Sequence, residues 1–247
     1  MKVTVVGFWG GYPGVNSATS GYLFEKGGFK LLVDCGSGVL AQLQNYTEPT
    51  DLNAVILSHY HHDHIADIGP LQFARLIATF LGKGKEALPI YGHGADKDDF
   101  SKLSHKNITE AHEYNPDETL HIGPFSIEFL KTAHPVVCYA MKIKTESATV
   151  VYTADSSYLD SFIPFAKDAD LFICECNFYA NQDGKGAGHM NSHDAAKIAK
   201  EANVQKLLLT HLPHFGEHEQ LVTEAKSIFN GDISLASAGL LWEKGTI

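Results

Sequence analysis

A cluster of histidines and a carboxylate follows a short apolar segment of the sequence. Residues 58–64 read Ser-His-Tyr-His-His-Asp-His, directly after the apolar run Ala-Val-Ile-Leu. A β-strand places residues i and i+2 on the same side, so His59 and His61 can converge on one point just past a strand end. Asp63 and His64 then begin a new segment. Imidazole and carboxylate are ligands that zinc and similar divalent metals prefer, so this spacing predicts a metal site rather than a solvated polar loop.

Four more candidate site residues each stand at the end of a predicted strand. They are His134, Asp155, Glu175 and His211. Any one of them alone is compatible with a structural polar residue whose hydrogen bonds are satisfied. Together with the first cluster, the repeated pattern of an apolar strand followed by histidine or a carboxylate predicts one site where several strands end.

The hydrophobic pattern predicts the elements that position these residues. Strands are predicted at Val3–Val6, Ser20–Glu25, Phe29–Asp34, Ala54–Ser58, Pro89–Gly92, Phe125–Thr132, Val136–Lys144, Ala148–Thr153, Leu171–Glu175, Lys206–Thr210 and Ile233–Trp242. Helices are predicted at Ser37–Gln44, Ile65–Leu81, Ser157–Ala166, Ser192–Ala202 and Glu217–Phe229. Residues 26–28, Lys-Gly-Gly, predict a hairpin. The polar stretch Lys97–Glu118 predicts a surface excursion or lid.

Length and organisation favour one α/β domain over residues 1–247. The hydrophobic content of 44% is typical of a chain with a sizeable core. The sequence has no Pro/Ser-rich linker, low-complexity tract or repeat. Strands gather early in each half with helices between them, which indicates two sheets with outer helices.

Charge and cysteine content limit the classes of partner. The chain has 19 Lys and Arg against 29 Asp and Glu, a net charge of −10, which argues against an extended nucleic-acid surface. A small phosphate-bearing substrate held by metal ions stays compatible with that charge. No stretch approaches the ~20 apolar residues of a spanning helix, so no membrane partner is expected. Four cysteines in a chain of this length indicate buried, reduced thiols and a cytoplasmic protein.

In these residues the chain resembles the metallo-β-lactamase-fold hydrolases over nearly its whole length. The resemblance implies a four-layer αβ/βα sandwich that holds two divalent metal ions, zinc in the first place and manganese as an alternative. The first metal would be bound by His59, His61 and His134. The second would be bound by Asp63, His64 and His211. Asp155 would bridge the two ions.

Further segments are similar to the ribonuclease Z-like phosphodiesterase branch of that family. Residues 188–196 read Gly-His-Met-Asn-Ser-His-Asp-Ala-Ala and lead through a helix to Leu-Thr-His. Glu175 and His189 keep the Glu and His of the matching ribonuclease Z segments, where they form an acid pair beside the metals. Ribonuclease Z commonly carries a basic, glycine-rich arm that grips tRNA, whereas here only Pro135–Ala154 lies at that place. The resemblance also implies a homodimer.

These residues favour a dinuclear-metal-dependent phosphodiesterase that acts on a small nucleotide or a short RNA. A metal-bridging hydroxide would attack phosphorus, with Asp63 as the proton acceptor. His189, oriented by Glu175, would protonate the leaving alkoxide. Two alternatives stay open: a lactone or thioester hydrolase, and a non-catalytic binding protein of the same fold. The pair Glu175 and His189 disfavours a lactone or thioester hydrolase, because carbonyl leaving groups need less help from a dedicated acid. The complete ligand set disfavours a non-catalytic protein.

Overall fold

The computed structural model of the protein describes residues 1–245. Within these residues the chain forms two compact units. The first contains residues 1–115 and 237–243, and the second contains residues 116–236 and 244–245. A single domain over residues 1–247 stays a prediction. Residues 246 and 247 lie outside the described residues.

The sheet of the first unit combines antiparallel and parallel strands. Its strands are β1 (Lys2–Gly7), β2 (Gly21–Lys26), β3 (Phe29–Val33), β4 (Ala54–Ile56), β5 (Leu88–Gly92), β6 (Thr109–Glu113) and β14 (Leu241–Glu243). The order is β14-β1-β2-β3-β4-β5-β6, antiparallel from β14 to β3 and parallel from β3 to β6. Gly27 and Gly28 have φ of 58° and 86° between β2 and β3, the positive values that a two-residue type I′ hairpin needs.

The helices of the first unit lie between its strands in the sequence. They are α1 (Val39–Leu43), α2 (His62–Ile65), α3 (Ile68–Phe80) and α4 (Lys97–Ser101). The predicted helix Ile65–Leu81 therefore begins later than expected. The backbone N–H of Asp67 donates to the carbonyl of Cys35 at 3.0 Å instead of to the preceding helical turn, and this interrupts the helix between α2 and α3.

The sheet of the second unit is also mixed. Its strands are β7 (Leu120–Ile122), β8 (Phe125–Lys131), β9 (Tyr139–Lys144), β10 (Thr149–Tyr152), β11 (Leu171–Glu175), β12 (Lys206–Thr210) and β13 (Asp232–Leu235). Neighbours are antiparallel from β7 to β10 and parallel from β10 to β13. Strand β11 is buried along its whole length, as parallel strands usually are. Because β10, β11 and β12 run parallel, the residues that follow them meet at one edge of the sheet.

The second unit contains the helices α5 (Phe162–Phe165), α6 (Ser192–Glu201) and α7 (His218–Lys226). The predictions for α6 and α7 agree with these bounds to within a few residues. The predicted helix Ser157–Ala166 is reduced to the single turn α5. Ser157, the first residue of the predicted helix, bonds to the segment before β9 instead. Its backbone N–H and its hydroxyl both donate to the carbonyl of Ala133, at 3.0 and 3.1 Å.

The predicted closing strand Ile233–Trp242 is wrong as one element, because it comprises β13 and β14, which belong to different sheets. After β13, the N–H of Ala236 still donates to the carbonyl of Leu209 at 2.8 Å. A turn then closes through Leu240 N–H and the carbonyl of Ser237 at 3.0 Å, with Gly239 at a φ of 82°. Small residues between the two strands allow this turn.

The predicted surface excursion Lys97–Glu118 is wrong as a description of that stretch. It contains α4 and β6, and β6 pairs with β5 along its length. Leu103 and Tyr114 within it are buried. Its polar composition is explained by β6 being an edge strand, on which exposed and half-buried polar side chains are common.

Each cysteine carries a free, buried thiol in the described part of the chain, as predicted. Among residues 1–245, no helix combines the length and the apolar character that crossing a bilayer requires.

Candidate metal centre

The first unit brings the four predicted ligands of residues 59–64 together just past the end of β4. The rings of His59 and His61 lie 4.8 Å apart between centroids, and those of His59 and His64 lie 4.1 Å apart. Nε2 of His64 is 3.7 Å from Oδ2 of Asp63. The one-turn helix α2 carries Asp63 and His64, while His61 precedes it as its N-cap. The change from strand to helix spacing thus brings these donors together, while the side chain of His62 is exposed.

Asp34 holds the histidines of this cluster in place through hydrogen bonds. It was not identified as a site residue from the sequence. Its Oδ2 atom lies 2.7 Å from Nδ1 of His64 and accepts the hydroxyl of Ser58 at 2.8 Å. The Ser58 hydroxyl in turn lies 3.0 Å from Nδ1 of His59. Asp34 is fully buried and has a φ of 58°, a conformation that Asp adopts more readily than most residues. The signal that the sequence offers is a carboxylate at the end of the predicted strand Phe29–Asp34.

Backbone groups fix the position of Asp63. The N–H of Gly11 donates to Oδ2 of Asp63 at 2.9 Å. A Cβ atom at residue 36 would lie 1.9 Å from the carbonyl oxygen of Asp63, so only glycine fits there. The carboxylate is therefore held at one orientation by the loop that follows β1.

The second unit brings His134, Asp155 and His211 together. Oδ2 of Asp155 lies 3.9 Å from Nε2 of His134 and 3.4 Å from Nε2 of His211. Asp155 follows β10 and His211 follows β12, at the shared edge of the parallel strands. Ala154 and His211 have φ of 51° and 53°. Non-glycine residues in this region cost of order 1 kcal/mol each and tend to cluster at functional sites.

The loop before α6 holds the ring of His134. Its Nδ1 atom lies 3.1 Å from the carbonyl of Gly188, which has a φ of 80°. A Cβ atom at residue 188 would lie 2.8 Å from the same Nδ1 atom. Both the backbone conformation and the close approach therefore require glycine at this position.

Glu175 and His189 form the predicted pair. Nδ1 of His189 lies 2.9 Å from Oε1 of Glu175, which also accepts the backbone N–H of Ser156 at 2.9 Å. The other carboxylate oxygen, Oε2, is buried without a hydrogen-bond partner among residues 1–245. The ring of His189 stacks on that of His211 with 5.1 Å between centroids. The pair therefore lies directly beside a predicted metal ligand.

The donor atoms within each unit fit a divalent metal ion. Protein partners hold Nδ1 of His59, His64 and His134, which assigns the ligand lone pair to Nε2, the usual arrangement around metal-bound histidines. Ligand atoms at ~2.0–2.1 Å from a tetrahedral metal are about 3.3 Å apart. The 3.4 Å between Asp155 Oδ2 and His211 Nε2 is close to that value. Nitrogen and oxygen donors of this kind suit zinc and manganese.

Cavity size alone does not identify the site. A cavity of about 670 Å³ in the first unit is lined by Arg75, Tyr91 and His112 and by none of the predicted site residues. A smaller cleft of about 440 Å³ in the second unit includes His189 in its lining. His93 lies elsewhere in the first unit, buried with its ring 4.4 Å from that of Tyr60.

Comparison with known proteins agrees with the donor chemistry. Residues 30–212 match the family model described as the β-lactamase superfamily domain. The probable metallo-hydrolase YhfI of Bacillus subtilis (strain 168) is 63% identical over 243 residues, covering 98% of this chain and 100% of the relative. The crystal structure of the metallo-β-lactamase fold protein YhfI has a TM-score of 0.97 at 61% identity, with 99% of each chain covered.

More distant relatives include ribonuclease Z. The enzyme of that name from Methanopyrus kandleri is 26% identical over 266 residues, covering 93% of each chain. The crystal structure of the short form of human tRNase Z has a TM-score of 0.77 at 19% identity and covers 100% of both chains, which shows a shared fold. The predicted metallo-β-lactamase fold is thereby confirmed. The chain belongs to the β-lactamase superfamily, as a metal-dependent hydrolase with the metallo-β-lactamase fold and with distant ribonuclease Z relatives.

Proposed function

We propose that the chain is a dinuclear-metal phosphodiesterase that hydrolyses a small nucleotide or a short RNA. The observation that carries this proposal is the hydrogen bond of 2.9 Å between Glu175 and His189, placed beside His211. Phosphodiester hydrolysis expels an alkoxide, which needs a proton donor. The ribonuclease Z relative from Methanopyrus kandleri supports the same reaction class.

The proposed ligands form two sets that share Asp155. By the family resemblance, His59, His61 and His134 would hold one ion, and Asp63, His64 and His211 would hold the other, with Asp155 common to both. Bound metal ions, zinc or manganese, would supply Lewis acidity and lower the pKa of water.

The protein's own residues would then handle the protons. Asp63 would accept the proton of the attacking water, since the Gly11 N–H fixes its carboxylate at 2.9 Å. His189 would donate a proton from Nε2 to the leaving oxygen, because Nδ1 is directed at Glu175. The buried carboxylate of Glu175 would orient the ring and favour its protonated form.

The test is hydrolysis of bis(p-nitrophenyl) phosphate by the purified protein. We expect activity that is lost after chelation and restored by zinc or manganese, with two ions bound per chain by elemental analysis. Substitution of Asp155 by Asn should reduce both metal content and rate. Hydrolysis of a homoserine lactone without any phosphodiester cleavage would instead identify a lactonase, and one bound ion at full activity would exclude the dinuclear mechanism.

We further propose a homodimer in the cytoplasm. The resemblance to ribonuclease Z supports the dimer, and the free, buried cysteines fit a reducing compartment. Sedimentation velocity of the metal-loaded protein tests the first point, and fractionation of the native cells tests the second.

A further inference from the structure

The cleft beside His189 has the chemistry of a binding subsite. Its volume of about 440 Å³ lies within the range of small-molecule sites. Besides His189, it is lined almost entirely by side chains that can form hydrogen bonds, among them Tyr158, Asn181, Gln182 and Asp183. A ligand in this cleft would therefore touch the residue that we propose as the proton donor.

One wall of the cleft is rigid. Asn191 caps α6 through a capping box with Asp194, and its Nδ2 donates to the carbonyl of Gln182 at 3.0 Å. Oε1 of Gln182 accepts the N–H of Tyr179 at 2.9 Å. These bonds fix the loop from β11 to α6 before any ligand arrives, which lowers the entropic cost of binding.

The remaining lining offers adaptable contacts. Asn181, Asp183 and Lys185 are exposed to solvent while they line the cleft. Tyr158 is half-buried, and its hydroxyl donates to Asp160 at 2.8 Å. The Nζ atom of Lys197 lies 4.5 Å from the centroid of the Tyr158 ring. The Lys197 contact thus holds the aromatic ring in place beside the amide and carboxylate groups of the lining.

We propose that this cleft binds the ribonucleoside on the leaving-group side of the substrate, an inference that rests on the phosphodiesterase function proposed above. Carboxylate and amide oxygens of Asp183 and Asn181 accept hydrogen bonds from ribose hydroxyls, and the amide also pairs with base edges. The Tyr158 ring provides a surface on which a base can stack. The carboxylates of Asp183 and Asp194 balance the charges of Lys185 and the protonated His189, so the lining has no net positive charge to favour a second phosphate here.

The experiment compares substrates with and without a nucleoside. Adenosine 2′,3′-cyclic and 3′,5′-cyclic monophosphates carry the nucleoside, whereas bis(p-nitrophenyl) phosphate does not. The variants are Asn181→Ala, Asp183→Asn and Tyr158→Leu, with Tyr158→Phe as the matched control that keeps the ring. Lys185→Gln tests for phosphate recognition. Thermal unfolding of each variant confirms that it folds.

We expect each of the first three variants to raise KM for the cyclic nucleotide that is cleaved by about 2- to 10-fold, the effect of one lost contact. KM for bis(p-nitrophenyl) phosphate, which has neither a ribose nor a base, should rise by less than KM for the cyclic nucleotide, and Tyr158→Phe and Lys185→Gln should have smaller effects than the first three variants. Equal effects on both kinds of substrate, or none on either, would overturn the subsite. A dominant effect of Lys185→Gln would identify a phosphate site instead.

A separate arm distinguishes failure of the subsite from failure of the proposed function. If no phosphodiester is hydrolysed, the function is wrong, and calorimetry with adenosine 5′-monophosphate and the metal-loaded protein then decides the inference. Binding that weakens about 2- to 10-fold in Asp183→Asn and Tyr158→Leu supports the subsite. Absent binding, or binding unaffected by either variant, refutes it.

Discussion

Nδ1 of His189 lies 2.9 Å from Oε1 of Glu175, which ties the loop before α6 to the end of β11. The same oxygen accepts the N–H of Ser156, so the carboxylate is fixed by the fold before it meets the histidine. Because Nδ1 faces Glu175, only Nε2 of His189 can give a proton to a substrate. This geometry predicts that the loss of kcat in a His189 variant depends on whether the leaving group needs a proton.

Substitution of His189 by Ala is expected to lower kcat by about 10²- to 10⁴-fold for substrates with an alkoxide leaving group, the usual contribution of a general acid. The loss should be much smaller for bis(p-nitrophenyl) phosphate, because p-nitrophenolate leaves without a proton. Glu175→Gln should lower kcat for both kinds of substrate as well, by a smaller factor than His189→Ala does. The measurement is the ratio of kcat values for a cyclic nucleotide and the p-nitrophenyl ester.

The control for the pair is His193→Ala, which removes a half-buried histidine from the first turn of α6. Its kcat ratio should match that of the wild type. An equal loss for both leaving groups in His189→Ala would remove its role as the acid.

Asp34→Asn is expected to weaken metal binding about 10- to 100-fold, the usual effect of losing a partner behind a metal-bound histidine. Oδ2 of Asp34 accepts hydrogen bonds from His64 Nδ1 and from the Ser58 hydroxyl, and Oδ1 accepts the N–H of Ser58. The amide group of Asn has only one oxygen, so it cannot accept all three of these hydrogen bonds. Asn also tolerates the positive φ at this position. Competition with a chelator measures the affinity.

Asp67→Asn serves as the comparison for Asp34, because Asp67 accepts a backbone N–H from Leu40 at 2.8 Å and is not bonded to a candidate ligand. Its metal affinity should stay near that of the wild type. Unchanged affinity in Asp34→Asn would show that His64 is not oriented through this carboxylate.

Local spacing explains what could be predicted from the sequence. The donors from His59 to His64 depend on strand and helix periodicity over a few residues, and the structure places them together. Asp34 could not be found in this way, because its role depends on the parallel pairing of β3 and β4, in which Val33 is opposite Ile56. The division of residues 233–242 between two sheets likewise depends on β14 meeting β1, far away in sequence.

Asn191→Ala is expected to lower the free energy of unfolding by about 1 kcal/mol, the usual cost of an N-cap. Asn191 accepts the N–H of Asp194 at 2.9 Å and also holds the Gln182 carbonyl, so the loop with His189 should loosen as well. Urea unfolding measures the loss. Asp96→Ala, which removes the cap of the short, exposed helix α4, should cost less.

Cys176 provides a prediction about alkaline stability. Burial raises the pKa of its thiol well above the usual value, and the nearby Glu175 and Glu224 charges act in the same direction. At neutral pH the thiol is protonated in both the folded and the unfolded chain, so it contributes no pH dependence. Above about pH 8.5, the unfolded chain loses this proton while the folded chain keeps it.

The sign follows from proton linkage: between the unfolded and the folded pKa, the free energy of unfolding falls by about 1.4 kcal/mol per pH unit for each such thiol. Cys176→Ala removes one of these protons, so its stability relative to the wild type should rise by about 1–2 kcal/mol between pH 8 and pH 10. Urea unfolding across this range measures the difference, and the values at pH 7.5 supply the reference for the lost packing of the thiol. A difference that stays constant with pH would show that the Cys176 thiol ionises equally in both states.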